Sequence, residues 1–126
     1  MSGNIGNSLS FVGRLSKPIE ISVHGKNDKG VDITRGTFTL IRNEYAGKDD
    51  EGENLEKVVL ANFTIWGAEA LAIKNHCFIG DQLFVNAQLE PPYEKDGKTV
   101  YDARFKVIGF EFGAPGAAKR EELAKK

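Results

Sequence analysis

The chain has 126 residues, enough for one domain with a proper core and too few for two. Its 40% hydrophobic and 28% charged residues are those of an ordinary globular protein, which excludes the disordered and fibrous classes. A formal net charge of −1 supplies none of the basic surplus that phosphate affinity normally requires, so composition alone does not point to nucleic acid, although lysines and arginines can still gather on one face.

In chain order, Leu9, Phe11 and Leu15 alternate with polar or small residues and predict a half-buried first strand. From Pro18 to Gly36 two extended runs flank a turn-rich stretch around residues 25–30, which fits a β-hairpin excursion. The second strand is expected over Thr37–Ile41, with Phe38 and Leu40 on one face, ending before the polar loop at residues 47–52. The third runs from Lys57 to Trp66, with Ala61, Phe63 and Ile65 on one side and Asn62, Thr64 and Trp66 on the other. Good helix formers over Ala68–Lys74 predict a helix of about two turns. Leu83, Val85, Ala87 and Leu89 form the inward set of a fourth strand, and Tyr101, Ala103, Phe105 and Val107 that of a fifth. Between them the prolines 91 and 92 and the Asp96-Gly97 turn signal predict a long projecting hairpin.

This order predicts an all-β chain, a five-stranded Greek-key OB-fold barrel with one short helix between strands three and four. The domain is expected over residues 1–113, followed by a short, charged, flexible tail over 114–126. No stretch is apolar for long enough to span a membrane, and the N-terminus lacks a basic region followed by an apolar one, so a cytoplasmic protein is expected. A single cysteine, Cys77, excludes an internal disulfide and reads as a buried small hydrophobe. His24 and His76 have no metal-ligand spacing, and no nucleophile elbow or phosphate loop is present, so neither an enzyme nor a cofactor or metal is expected.

The third strand carries the functional signal. If Phe63 and Ile65 face the core, the period of two places the only tryptophan, Trp66, on the solvent side. Such a residue either stacks on a base or packs against the helix or beneath the loop that carries Tyr93. Tyr93, Tyr101 and Tyr45 are further stacking candidates, although tyrosines commonly sit half-buried with a wet hydroxyl. Arg14, Arg42, Lys57, Lys74, Lys95, Lys98 and Arg104 could line a path for phosphates; each alone could equally be a solvated surface charge.

Over residues 4 to 112 the sequence resembles the bacterial and phage single-stranded DNA-binding protein family. The likeness lies in the opening strand through Phe11-Val12-Gly13-Arg14-Leu15, in Phe38-Thr39-Leu40, and in Gly80-Asp81-Gln82-Leu83-Phe84-Val85. The hairpin Tyr93 to Lys98 with Tyr101 contributes too, and the most specific stretch is Phe63-Thr64-Ile65-Trp66-Gly67-Ala68-Glu69-Ala70. The resemblance implies sequence-tolerant binding and protection of single-stranded DNA during replication, recombination or repair, with Trp66 and Tyr93 at stacking positions. It also implies a homo-oligomer, a tetramer ahead of a dimer, with Phe84 and Asn86 at the contact.

Several residues depart from the family pattern. Ala68 replaces a common lysine, Leu60 replaces an aromatic, and Asp49, Asp50, Glu51, Glu53 and Glu56 crowd the loop between strands two and three. The chain ends Glu121-Glu122-Leu123-Ala124-Lys125-Lys126 without the family's acidic tip, so recruitment of repair proteins by such a tip is not expected. The alternative reading is an OB-fold interaction module, an accessory subunit of a replication or recombination assembly. RNA binding on the same face is a third.

Overall fold

The computed structural model describes residues 6–100, 103–116 and 123. Its elements are β1 (Leu9–Leu15), β2 (Glu20–Lys26), β3 (Asp32–Lys48), β4 (Asn54–Trp66), α1 (Ala68–His76), β5 (Gln82–Leu89), β6 (Tyr93–Lys95), β7 (Lys98–Val100) and β8 (Phe105–Phe112). The main sheet runs β1-β5-β8-β4-β3-β2, and a second pairing of β1 with β3, at Arg14 with Ile41 and Leu15 with Leu40, closes five of these strands into a barrel. β2 is left outside the ring as an extra strand on β3. The β4–β8 pairing is parallel and the other pairings are antiparallel. The five-stranded OB barrel with one helix before β5 is therefore as the element order predicts.

The period of two fills the barrel. Phe11, Leu15, Phe38, Leu40, Phe63, Ile65, Leu83, Val85, Ala87 and Val107 are buried, and Phe63 is central, with ring centroids 5.5 Å from Phe38, 5.7 Å from Phe11 and 5.9 Å from Phe105. α1 plugs one end with Ala70 and Ile73. Gly36 makes that plug fit: a Cβ there would lie 2.7 Å from Ile19 Cδ1 and 3.0 Å from the Ala70 Cβ. Cys77 is buried just after the helix.

Three strands depart from the expected bounds. The second does not end near Ile41. β3 is continuous from Asp32, so the second arm of the excursion and the expected strand are one element, held in register with β4 as far as Tyr45 opposite Glu56. The third begins earlier, at Asn54. The fifth runs over Phe105–Phe112 where 101–107 is expected, and a bulge breaks the alternation beyond Val107. Ala87 pairs with Val107 but Asn86 pairs with Gly109, so Val107 and Phe110 both turn toward the barrel although they are three residues apart.

Ala114 and Gly116, placed by sequence in the tail, are fastened to the barrel. The Gly113 N–H donates to the Gln82 carbonyl, the Ala114 N–H to Gln82 Oε1, and the Gly116 N–H to Asp81 Oδ1 at 2.7 Å.

Candidate nucleic-acid interface

Register decides which side chains share the outside of the barrel. Because Phe63 and Phe38 are an inward pair, the pairs that alternate with them point outward: Trp66 with Arg35, Thr64 with Thr37, and Asn62 with Thr39. β2 extends two of these rows, since Ser22 lies opposite Arg35 and Glu20 opposite Thr37. A three-stranded face results, with Trp66 and Arg35 in one row and Glu20, Thr37 and Thr64 in the next.

Trp66 is 38% exposed. It shares a depression with Ala68 and Leu71 of α1, as the packing against the helix expected from sequence would have it. Its indole meets the His24 ring edge-on at 5.6 Å between centroids, and the Arg35 guanidinium lies over it at 5.8 Å. His24 is in turn within 3.1 Å of the Ser22 hydroxyl.

The β6–β7 hairpin stands beside this face. Its two-residue turn is tight because Asp96 and Gly97 both take positive φ, 54° and 78°, as a type I′ turn requires. At its base the Glu90 N–H donates to the Arg104 carbonyl, and the Arg104 guanidinium stacks 3.8 Å from the Tyr93 ring centroid. Between hairpin and face runs a groove of about 330 Å³ in which Tyr93, Arg104, Arg35, Lys17 and Glu20 meet over a floor that includes Thr37, Thr39 and Asn62. Three cations thus face one carboxylate, although the whole chain is acidic by one charge. On the floor the Thr39 hydroxyl donates to Asn62 Oδ1 at 2.6 Å, which leaves the Asn62 amide N–H groups pointing outward as donors. Thr64, outward by register, is covered and donates to Glu90 Oε1 at 2.6 Å.

The structure brings Tyr93 and Arg104 together in the groove, and Arg35, which lines the same groove, lies over Trp66 beside it. Lys95 and Lys98 face each other at the exposed tip of the hairpin. Tyr45 is outward on the same ribbon, but ten residues of β4 separate Trp66 from its partner Glu56, so it lies roughly 33 Å away. Tyr101 lies outside the described residues.

The remaining basic candidates point elsewhere. Arg42 is on the inward side of β3, where Nη1 donates to the Val12 carbonyl, Nε lies 3.2 Å from Glu44 Oε2, and the guanidinium sits over Phe11. Lys57 reaches the same Glu44 at 3.9 Å. Arg14 donates to the Gly80 carbonyl on the β1–β5 side, and Lys74 is exposed on α1. On that β1–β5 side Phe84 is 41% exposed in an apolar depression with Val12, Phe110 and Asn86.

Arg35, Lys17, Glu20 and His24 are absent from the sequence-derived set. Arg35 was legible in principle: had Asp32 to Ile41 been taken as one strand, the alternation that buries Gly36 and Phe38 would have put Arg35, Thr37 and Thr39 outward together.

Neither a protein-family model nor a curated protein sequence matches the chain. Among solved structures, it is similar to a deletion mutant of the single-stranded DNA binding protein from Thermus aquaticus, with 18% identity and a TM-score of 0.66. That match covers 85% of this chain and 50% of the other, so the chain spans half the length of that protein. It is also similar to the Plasmodium falciparum SSB in complex with ssDNA, with 15% identity and a TM-score of 0.64, over 90% of this chain and 99% of the other. The fold is an OB fold of the type these two proteins share.

Proposed function

We propose that this chain is a non-enzymatic single-stranded DNA-binding protein whose binding face is the outer surface of β2, β3 and β4 together with the β6–β7 hairpin. The carrying observation is the groove itself. Two aromatics, Trp66 and Tyr93, are each overlaid by an arginine, and those arginines line one channel with Lys17. Stacking platforms beside cations are what a sequence-tolerant single-strand binder needs, because every base has a π-face and every nucleotide a phosphate. The likeness in fold to two proteins described as binding single-stranded DNA supports the same reading.

In this reading Trp66 and Tyr93 stack on bases, Arg35 and Arg104 hold the aromatic faces and meet phosphates, and Lys95 and Lys98 extend the path along the hairpin. Tyr45 serves only a strand that continues along the β3–β4 ribbon. The cellular role is to coat and protect single strands in the cytoplasm during replication, recombination or repair. Phe84 and Asn86 form the contact of a homo-oligomer, with a tetramer ahead of a dimer.

Trp66 is the only tryptophan and reports on its own site. Titration with poly-dT quenches its fluorescence, and Trp66→Ala, followed by gel shift, weakens binding about 5- to 150-fold, the equivalent of roughly 1–3 kcal/mol for one stacked base. Unchanged affinity in that variant overturns the assignment. Parallel titration with ribo-oligonucleotides of the same sequence tests whether the face favours DNA.

A further inference from the structure

One feature of the groove opposes phosphate binding. Glu20 shares an outward row with Thr37 and lines the same channel as Lys17, Arg35 and Arg104. Yet among the described residues the ion pairs are Lys26 with Asp32, and Arg42 and Lys57 with Glu44; none of the groove cations closes on Glu20. The Nε atoms of Arg35 and Arg104 are likewise buried without a hydrogen-bond partner. The channel therefore holds a carboxylate outside any ion pair together with two guanidinium groups whose Nε atoms have no partner, with Tyr93 also in the lining and the Asn62 amide donors on the floor. A passage for phosphates alone gains nothing from an acid at that point, since like charges repel.

We infer that this groove is a guanine-preferring base subsite in which Glu20 is the specificity-determining residue. The inference rests on the proposed single-strand binding. The base edges select the ligand. Guanine alone places two adjacent donors, N1–H and the 2-amino group, where the two oxygens of one carboxylate accept them, while its O6 and N7 accept from an arginine or from Asn62. Adenine and cytosine each offer a carboxylate a single exocyclic amine. Thymine offers one N3–H flanked by two carbonyl oxygens, which the carboxylate repels. Single-stranded bases expose these edges, which paired strands hide. At about 330 Å³ the channel is at the lower end of small-ligand sites, suited to a base and its sugar.

The test is competition for Trp66 fluorescence between a short oligothymidylate and the same oligomer carrying one central dG, dA, dC or deoxyinosine. The expected result is at least about fivefold tighter binding for the dG oligomer than for the oligothymidylate, with most of the gain absent for deoxyinosine, which stacks alike but lacks the 2-amino group. In Glu20→Gln the dG preference collapses while oligothymidylate binds as well or better. If the dG and deoxyinosine oligomers bind equally, or if Glu20→Gln tightens all oligomers by one common factor, Glu20 is only a counter-charge and the inference falls, with single-strand binding intact. If no oligomer perturbs Trp66, the binding reading itself fails.

Discussion

Asp81 is the most consequential single carboxylate for the fold, and its substitution can be worked through. It is only 3% exposed, with Oδ2 accepting the Phe78 N–H at 2.9 Å and Oδ1 the Gly116 N–H at 2.7 Å. Its own carbonyl accepts the Leu15 N–H, so one residue joins the end of β1, the turn into β5 and the segment after β8. Asp81→Ala removes at least these two hydrogen bonds to a charged acceptor, each worth about 1.5–3 kcal/mol, and strands a buried N–H. Allowing for water reaching the part-buried Phe78 amide, the expected loss is about 3 kcal/mol. Asp81→Asn recovers no more than half of that, because its single oxygen serves one N–H while its amide opposes the other.

The control is Asp49, whose Oδ1 also accepts two backbone N–H groups, those of Glu51 and Glu53, at 2.9 Å each, but at an exposed turn. Water replaces that carboxylate, so Asp49→Ala loses about 1 kcal/mol at most. Urea denaturation at fixed protein concentration separates the two. A loss of less than about 1 kcal/mol for Asp81→Ala, or equal losses for the two variants, would show that burial does not govern this clamp and that the post-β8 segment is not fastened through it.

Gly36→Ala drives a methyl group into Ile19, Ala70 and Ile65 at the helix plug and should destabilise by about 1–3 kcal/mol in the same assay. Arg104→Ala should weaken oligothymidylate binding and reduce the salt slope by about 0.7, because one phosphate is no longer neutralised. Arg42→Ala, on the inward side of β3, should leave that slope unchanged while lowering the unfolding midpoint, because its hydrogen bond to the Val12 carbonyl and its contact over Phe11 are lost. Phe84→Lys should reduce the mass seen by light scattering if the depression beside Val12 is the contact between copies.

Fold class was legible because a barrel strand with one buried face has to alternate, and Leu83, Val85 and Ala87, like Phe63 and Ile65, are apolar and buried at every second position. Bounds failed where alternation is not the controlling fact. The bulge at β8 breaks the period, and the inward positions of the far half of β3 are the half-buried but polar Arg42 and Glu44, so that half carries no apolar signal although its pairing with β4 is regular. The aromatic half of the candidate site was legible for the same reason as the fold: Trp66 is outward because Phe63 and Ile65 are inward. The ionic half was legible only in part: Arg104, Lys95 and Lys98 are among the expected cations, whereas Arg35 and Lys17 are not. Arg42 and Lys57 are basic residues on strands like Arg35, and what separates them is strand phase and a shared acid, Glu44, which only register reveals.

The near-neutral charge of the chain then has a structural explanation. Its acids are not spread evenly. Asp49, Glu51, Glu53 and Glu56 lie at the far end of the β3–β4 ribbon, Glu44 is engaged with Arg42 and Lys57 on the inward side, and Asp81 is buried in the clamp. That leaves Lys17, Arg35 and Arg104 against the single carboxylate of Glu20 in the groove lining, a net positive local field, which at ordinary ionic strength is felt over about 8–10 Å, far less than the roughly 33 Å to the Tyr45 end of the ribbon. A strand bound beside Trp66 and Tyr93 therefore meets a basic surface, and one that continued along the ribbon toward Tyr45 would meet an acidic one. The charge pattern favours a short footprint over the groove of Lys17, Arg35 and Arg104 rather than a path along β3 and β4; the β6–β7 hairpin, with Glu94 and Asp96 beside Lys95 and Lys98, adds no net charge.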